Sequence, residues 1–195
     1  QDFLLNGHRI KIGISIGISI YPNDASESEE LLKNADTAMY FSKSRGRNNY
    51  SFFNHQMNSQ SNRKNRLEIE LQKALELEEI EIHYQPKVDS QSFEIIGFEA
   101  LARWHHPEFG TISPDEFIPI AEESGLITIL GQHVFASACT QLKIWHQLGY
   151  TKLNMAINVS AREFQLTDYP LDIARILNRI QVDPTCVELE LTESL

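Results

Sequence analysis

Glu99, Asn158 and Glu190 are polar residues set into otherwise apolar, strand-like runs. Glu99 shares one face of the run 94–104 with Leu101 and Arg103. Asn158 alternates against Leu153, Met155, Ile157 and Val159, and Glu190 against Val187, Leu189 and Leu191. If helices cover those apolar faces, the polar faces look toward a shared interior. A barrel interior does not accept bare carboxylates without compensation. Two carboxylates and one amide oxygen suit a hard cation, Mg²⁺, Mn²⁺ or Ca²⁺, rather than zinc. Arg103 follows Glu99 at a distance of about 13 Å along an extended strand, which puts a phosphate-binding guanidinium within a dinucleotide's length of such an ion. Taken singly, a Glu on a strand is most often a solvated or paired surface charge, and the convergence of three only balances that reading, so periodicity alone stops at a candidate cation site.

The elements that must hold these residues can be read from the same sequence. Residues 11–20 alternate Ile with Gly or Ser, which predicts a strand whose small face admits a close neighbour. Ser26 with Glu29 forms a capping-box pattern that opens a helix to about Lys43, and Gly46 stops it. A short strand is predicted over 50–53, and the polar stretch 54–66 reads as a linker or an exposed helix start. From Leu67 the periods predict a helix, a strand over 80–88, a polar turn and a second strand over 94–104, hence an antiparallel hairpin. Ser113-Pro114-Asp115-Glu116 starts a helix that Gly125 ends. A longer helix over 127–148, a strand over 153–159, a helix over 171–180 and a strand over 187–192 complete the order. Strand, helices, strand, helix, strand implies parallel strands with crossover helices. That is an α/β chain with a barrel in progress; a complete one takes about 250 residues, and 67–195 holds about half of that.

Composition agrees with a globular, soluble segment. The 195 residues are 42% hydrophobic and 23% charged, so disorder is excluded. No apolar run approaches the roughly 18 residues that a spanning helix needs. Cys139 and Cys186 lie far apart, which gives neither a disulfide framework nor a zinc site and fits a reducing, cytoplasmic setting. The net charge of −10 is uneven: residues 1–66 carry nine Lys/Arg against six Asp/Glu, and residues 67–195 carry eight against twenty-one. The break suggests two modules, the second of which repels a nucleic-acid duplex unless cations intervene. His105 and His106 are adjacent and point opposite ways in extended backbone. Phe135 and Trp145 are expected in the core, and Met155 on the helix-facing side of its strand. The chain begins with Gln1 and ends just after a strand-like run, and so reads as a piece of something longer.

Several blocks carry a resemblance. Glu99-Ala100-Leu101 with Ala102-Arg103-Trp104, Tyr84-Gln85-Pro86-Lys87, His106-Pro107, Phe117-Ile118-Pro119 with Ala121-Glu122, Asn158-Val159-Ser160 and Glu190-Leu191-Thr192-Glu193-Ser194 follow one another in order. Together they resemble the first half of an EAL-domain cyclic di-GMP phosphodiesterase, a TIM-like β/α barrel whose first strand is antiparallel. Ser15-Ile16-Gly17-Ile18-Ser19, Ala35-Asp36, Met39-Tyr40 and Lys43-Ser44-Arg45-Gly46-Arg47-Asn48 resemble the C-terminal end of an α+β, nucleotidyl-cyclase-like GGDEF domain. The resemblance implies a GGDEF tail over 1–54, a linker over 55–66 and a truncated EAL domain over 67–195.

It also implies roles. Glu99 and Glu190 would be catalytic, and with Asn158 would ligate Mg²⁺ or Mn²⁺ in a two-metal site. Gln85, Leu101 and Arg103 would contact cyclic di-GMP, and Glu193 would steady the loop after the last strand. Lys43 and Arg47 match phosphate contacts of active GGDEF domains; a basic helix end is the alternative reading. The implied reaction is hydrolysis of cyclic di-GMP to linear pGpG in bacterial second-messenger signalling. Two other readings of the parent stay open: a degenerate cyclic di-GMP receptor, and a protein acting mainly as a diguanylate cyclase. The family's paired aspartates would fall after Leu195, so the chain alone is expected to lack the second metal site and to be inactive. A homodimer is the expected assembly, in the cytoplasm, without duplex nucleic acid and without membrane contact by this segment.

Overall fold

The structure, a computed structural model, describes residues 2–5 and 8–191. Two compact units divide it, residues 1–66 and 67–195.

In the first unit β1 (Asp2–Leu5) and β2 (His8–Lys11) form an antiparallel hairpin. A separate pair follows: β3 (Ile16–Ile18), helix α1 (Ser28–Ser44) and β4 (Tyr50–Phe52), with β3 and β4 parallel and α1 as their crossover. The strand predicted over 11–20 is therefore split. Residues 12–15 alternate in type but have no strand beside them among the described residues, and Ile12 and Ile14 are exposed. Small residues do admit a close neighbour, as expected. A Cβ on Gly17 would overlap the backbone of Ala35 and Met39, so only glycine lets α1 lie this near β3. The helix starts later than the Ser26 pattern predicts, with Glu27 as N-cap and no side-chain cap bond; Glu29 and Glu30 in its first turn favour the positive end of the dipole. Ala38, Phe53 and Met57 form a small core.

The stretch 55–66 is helical: it is the first part of α2 (His55–Glu76), whose last turns bring Leu67, Leu71, Ala74 and Leu75 into the core of the second unit. There β5 (Ile80–Val88) pairs antiparallel with β6 (Ile95–His106). Between them the Asp89 carboxylate accepts the backbone N–H groups of Gln91 and Ser92, which closes the turn. β7 (Gly110–Ile112) adds a short antiparallel strand beside β6. Helices α3 (Pro114–Ser124) and α4 (Ile127–Gln147) follow. Ser113 caps α3 through its carbonyl, which accepts from Glu116 and Phe117, rather than through its hydroxyl. Then come β8 (Asn154–Val159), a one-turn helix α5 (Ala161–Phe164), α6 (Tyr169–Ile180) and β9 (Val187–Leu191).

The sheet order is β5-β6-β8-β9, with the last two junctions parallel. This is the predicted partial barrel with an antiparallel first strand. Its core lies between sheet and helices: Trp104, Phe117, Phe135, Leu142, Met155 and Ile157 are fully buried or nearly so. Trp145 stacks against Phe98 at 4.5 Å and meets Tyr84 edge-on at 5.2 Å. The Cys139 thiol is buried there, which pushes its pKa up to about 12. No helix among the described residues is long and apolar enough to cross a membrane.

Candidate functional site

Phe98, Ala100 and Trp104 of β6 and Met155 and Ile157 of β8 pack into the core beneath the helices, so the alternate residues share the other face of the sheet. Register sets their neighbours. Gln85 lies across from Glu99, Glu99 across from Ala156, and Asn158 across from Glu190. Asn158 is two residues beyond Ala156, hence diagonal to Glu99, and its Nδ2 donates to Glu99 Oε1 at 2.6 Å. Both side chains are half-buried. Leu101 and Arg103 continue the same face of β6; Arg103 is half-buried and its Nη1 donates to the Ala102 carbonyl at 2.9 Å.

Glu190 is held from an unexpected direction. Lys87 Nζ donates to Glu190 Oε1 at 3.0 Å and to Glu188 Oε2 at 2.7 Å. Lys87 is on β5 and the carboxylates are on β9, three strand spacings apart, or about 14 Å in a flat sheet. A lysine and a glutamate side chain meet over that span only because the sheet curls with its polar face inside. Gly97 and Ala156 lie beneath, lining a cavity of about 50 Å³ together with Lys87 and Glu188. The pairing with Glu188 first, then Glu190, raises the Lys87 pKa.

Behind Asn158 the turn is locked. Ser160 Oγ donates to Glu122 Oε1 at 2.6 Å, and the Ser160 N–H donates to Glu163 Oε2 at 3.1 Å, completing the capping box of α5. Arg162 closes the cluster on the Glu122 carbonyl. Glu163 is buried, which pushes its carboxyl up to about 7; the Ser160 N–H opposes this and the Glu122 charge adds to it. A Cβ on Gly131 would overlap Glu163, so α4 leaves just enough room for that carboxyl.

Of the residues singled out in the sequence, Gln85, Glu99, Leu101, Arg103, Asn158 and Glu190 lie on one face of one sheet. Glu193 lies outside the described residues. Lys43 and Arg47 are exposed in the first unit, Lys43 over the Tyr40 ring at 5.0 Å. Lys87 and Glu163 were not singled out. Lys87 needed the sheet's curvature to be seen, whereas Ser160 with Glu163 carries a readable capping-box spacing. The donor set of Glu99, Asn158 and Glu190 fits a hard divalent cation: the Asn158 N–H is taken by Glu99, which leaves its amide oxygen as a ligand.

The sequence matches the EAL domain over residues 68–195 and the diguanylate cyclase GGDEF domain over residues 1–49. It is 40% identical over its whole length to the bifunctional diguanylate cyclase/cyclic di-GMP phosphodiesterase MucR of Pseudomonas aeruginosa, covering 28% of that protein. It is also 40% identical over 92% of its length to the cyclic di-GMP phosphodiesterase PdeR of Escherichia coli, covering 27%. The chain thus spans about a quarter of the curated relatives it matches. Among solved structures, the P. aeruginosa MucR phosphodiesterase in complex with cyclic di-GMP superposes with a TM-score of 0.64 at 40% identity, over 66% of this chain and 52% of that one. The Xanthomonas citri FimX EAL domain in complex with cyclic di-GMP gives 0.60 at 26% identity, over 70% and 53%. Motifs, sheet order and these likenesses agree: through residues 68–195 the chain belongs to the EAL domain family, and a GGDEF stretch precedes that domain over residues 1–49.

Proposed function

We propose that this chain carries part of the active site of a cyclic di-GMP phosphodiesterase, with Mg²⁺ or Mn²⁺ held by Glu99, Asn158 and Glu190. The observation that carries the reading is the meeting of Asn158 with Glu99, and its pairing with Glu190, on the concave face across the parallel strands β6, β8 and β9. Glu99 and Glu190 are the catalytic carboxylates. When bound, the ion neutralises the phosphodiester and lowers the pKa of the attacking water, giving linear pGpG. The protein's own contribution is to position. Arg103 binds phosphate through the guanidinium donors left free by Ala102, Gln85 and Leu101 line the dinucleotide, and the Ser160–Glu122–Glu163 cluster fixes the backbone that presents Asn158. Residues 1–54 are the end of a GGDEF domain, with Lys43 and Arg47 at its phosphate contacts, and 67–195 the first part of the EAL domain. The protein works in the cytoplasm as a homodimer.

Lys87 favours a second reading. Its ammonium already neutralises Glu190 without a metal, as a receptor that binds cyclic di-GMP and does not cleave it would require. Chromatographic detection of pGpG from the full-length protein in Mn²⁺ separates the two. The phosphodiesterase reading expects turnover that falls by orders of magnitude in Glu99→Gln. Tight binding of cyclic di-GMP in chelator with no pGpG would leave the receptor.

A further inference from the structure

The same sheet face holds a second cluster, of different chemistry. Glu81 and His83 are two residues apart on β5, and across from them on β6 lie Arg103 and Leu101. His105 is two residues past Arg103 and therefore on the same side. The ligand atoms of Glu81, His83 and His105 all lie within 4.8 Å of one another, and they are the group of that kind among the described residues. His106 turns the other way. Its Nε2 meets Glu70 at 3.4 Å and its Nδ1 accepts from the backbone N–H groups of Glu108 and Phe109.

We propose that Glu81, His83 and His105 bind a transition-metal ion of the zinc class. Three features support this. First, His83 Nε2 and Glu81 Oε2 stand 3.5 Å apart, close to the roughly 3.4 Å between two ligands of a tetrahedral ion with bonds of about 2.1 Å. His105 is exposed, and its ligand atom lies within 4.8 Å of the other two. Second, Thr111 lies across from His105 in the β6–β7 pair, with Oγ1 2.9 Å from Nδ1. With Nδ1–H donating to that hydroxyl, the Nε2 lone pair is left to the metal, the usual outer contact of a ligating imidazole. Third, Arg103 stands across from Glu81 in the β5–β6 pair, and its Nη1 donates to the Ala102 carbonyl. Two imidazoles and one carboxylate select Zn²⁺, Co²⁺ or Ni²⁺, whereas the all-oxygen set of Glu99, Asn158 and Glu190 selects Mg²⁺ or Mn²⁺. All three ligands stand on paired strands rather than on loops, so the site is built into the sheet. Exposure leaves the remaining coordination positions to water.

The test is a titration of the full-length protein with Co²⁺, read by its visible d–d absorption, followed by displacement with Zn²⁺. A band that saturates and that Zn²⁺ removes is expected. The double variant His83→Gln/His105→Gln should lose the band. Thr111→Val should weaken binding by about tenfold, the usual size of an outer-contact loss. Glu99→Gln should keep it, which separates this site from the phosphodiesterase reading, whose failure would leave the Co²⁺ result untouched. Absence of a band, or an unchanged band in the double variant, would overturn the proposal and leave Glu81 and His83 as a surface polar contact.

Discussion

Replacing Lys87 by Met removes the ammonium that lies 2.7 Å from Glu188 and 3.0 Å from Glu190. A cation on Glu190 would sit about 2.1 Å from its oxygen, so the ammonium, if it stayed, would lie within about 5 Å. At that range a divalent ion and an ammonium repel by about 1.7 kcal/mol even at the dielectric of water. Lysine has a cheaper course, because it can swing to Glu188 alone. The cost is then one exposed ion pair, about 0.2–1 kcal/mol, since both Lys87 and Glu190 are about a third exposed. Swinging wins, and it sets the effect: Lys87→Met should tighten Mn²⁺ by up to about fivefold, the equivalent of about 1 kcal/mol. The assay is the electron paramagnetic resonance signal of free Mn²⁺ during titration. A thermal melt checks that the fold has lost no more than that surface pair. Unchanged or weaker Mn²⁺ binding would refute the placement of the ion at Glu190.

Glu163 gives a pH test. Its folded pKa of about 7 is above the ordinary 4.5, so the folded chain keeps a proton that the unfolded chain releases; this stabilisation is present at low pH and is lost as pH rises toward and through 7. Glu163→Gln keeps an acceptor for Ser160 and should show a smaller loss of stability between pH 5 and pH 8 in urea unfolding; parallel losses would contradict the burial argument. Gly131→Ala drives a methyl into the same carboxyl and should destabilise by about 1–3 kcal/mol, with a wild-type urea midpoint as the adverse result. Phe117→Ala empties a fully buried position beside Trp104 and should cost about 3–5 kcal/mol in the same assay.

What could be read in advance follows from how far each signal reaches. The β5–β6 hairpin and the long helix α4 were legible because alternation, turn residues and glycine stops all lie within the segment itself. The split of 11–20 was not, since a period of two tells which residues alternate and not whether a partner strand lies beside them. β7, three residues long, is too short to show any period. At the site, alternation placed Glu99, Asn158 and Glu190 on polar faces, and register then decided that Asn158 meets Glu99 diagonally. Lys87 depends on closure across four strands, which no local pattern encodes. The Glu81–His83–His105 cluster joins two strands in the same way; adjacency excluded His106 from sharing a ligand position with His105, and only the hairpin register brought His83 in.

The central claim is that Glu99, Asn158 and Glu190 hold one hard cation between them. Anomalous diffraction from crystals of the full-length protein grown in Mn²⁺ tests it most directly. A manganese peak within bonding distance of a Glu99 oxygen, the Asn158 amide oxygen and a Glu190 oxygen, with Lys87 displaced toward Glu188, is the expected result. Manganese absent from that position, with Lys87 still on Glu190, would contradict the account.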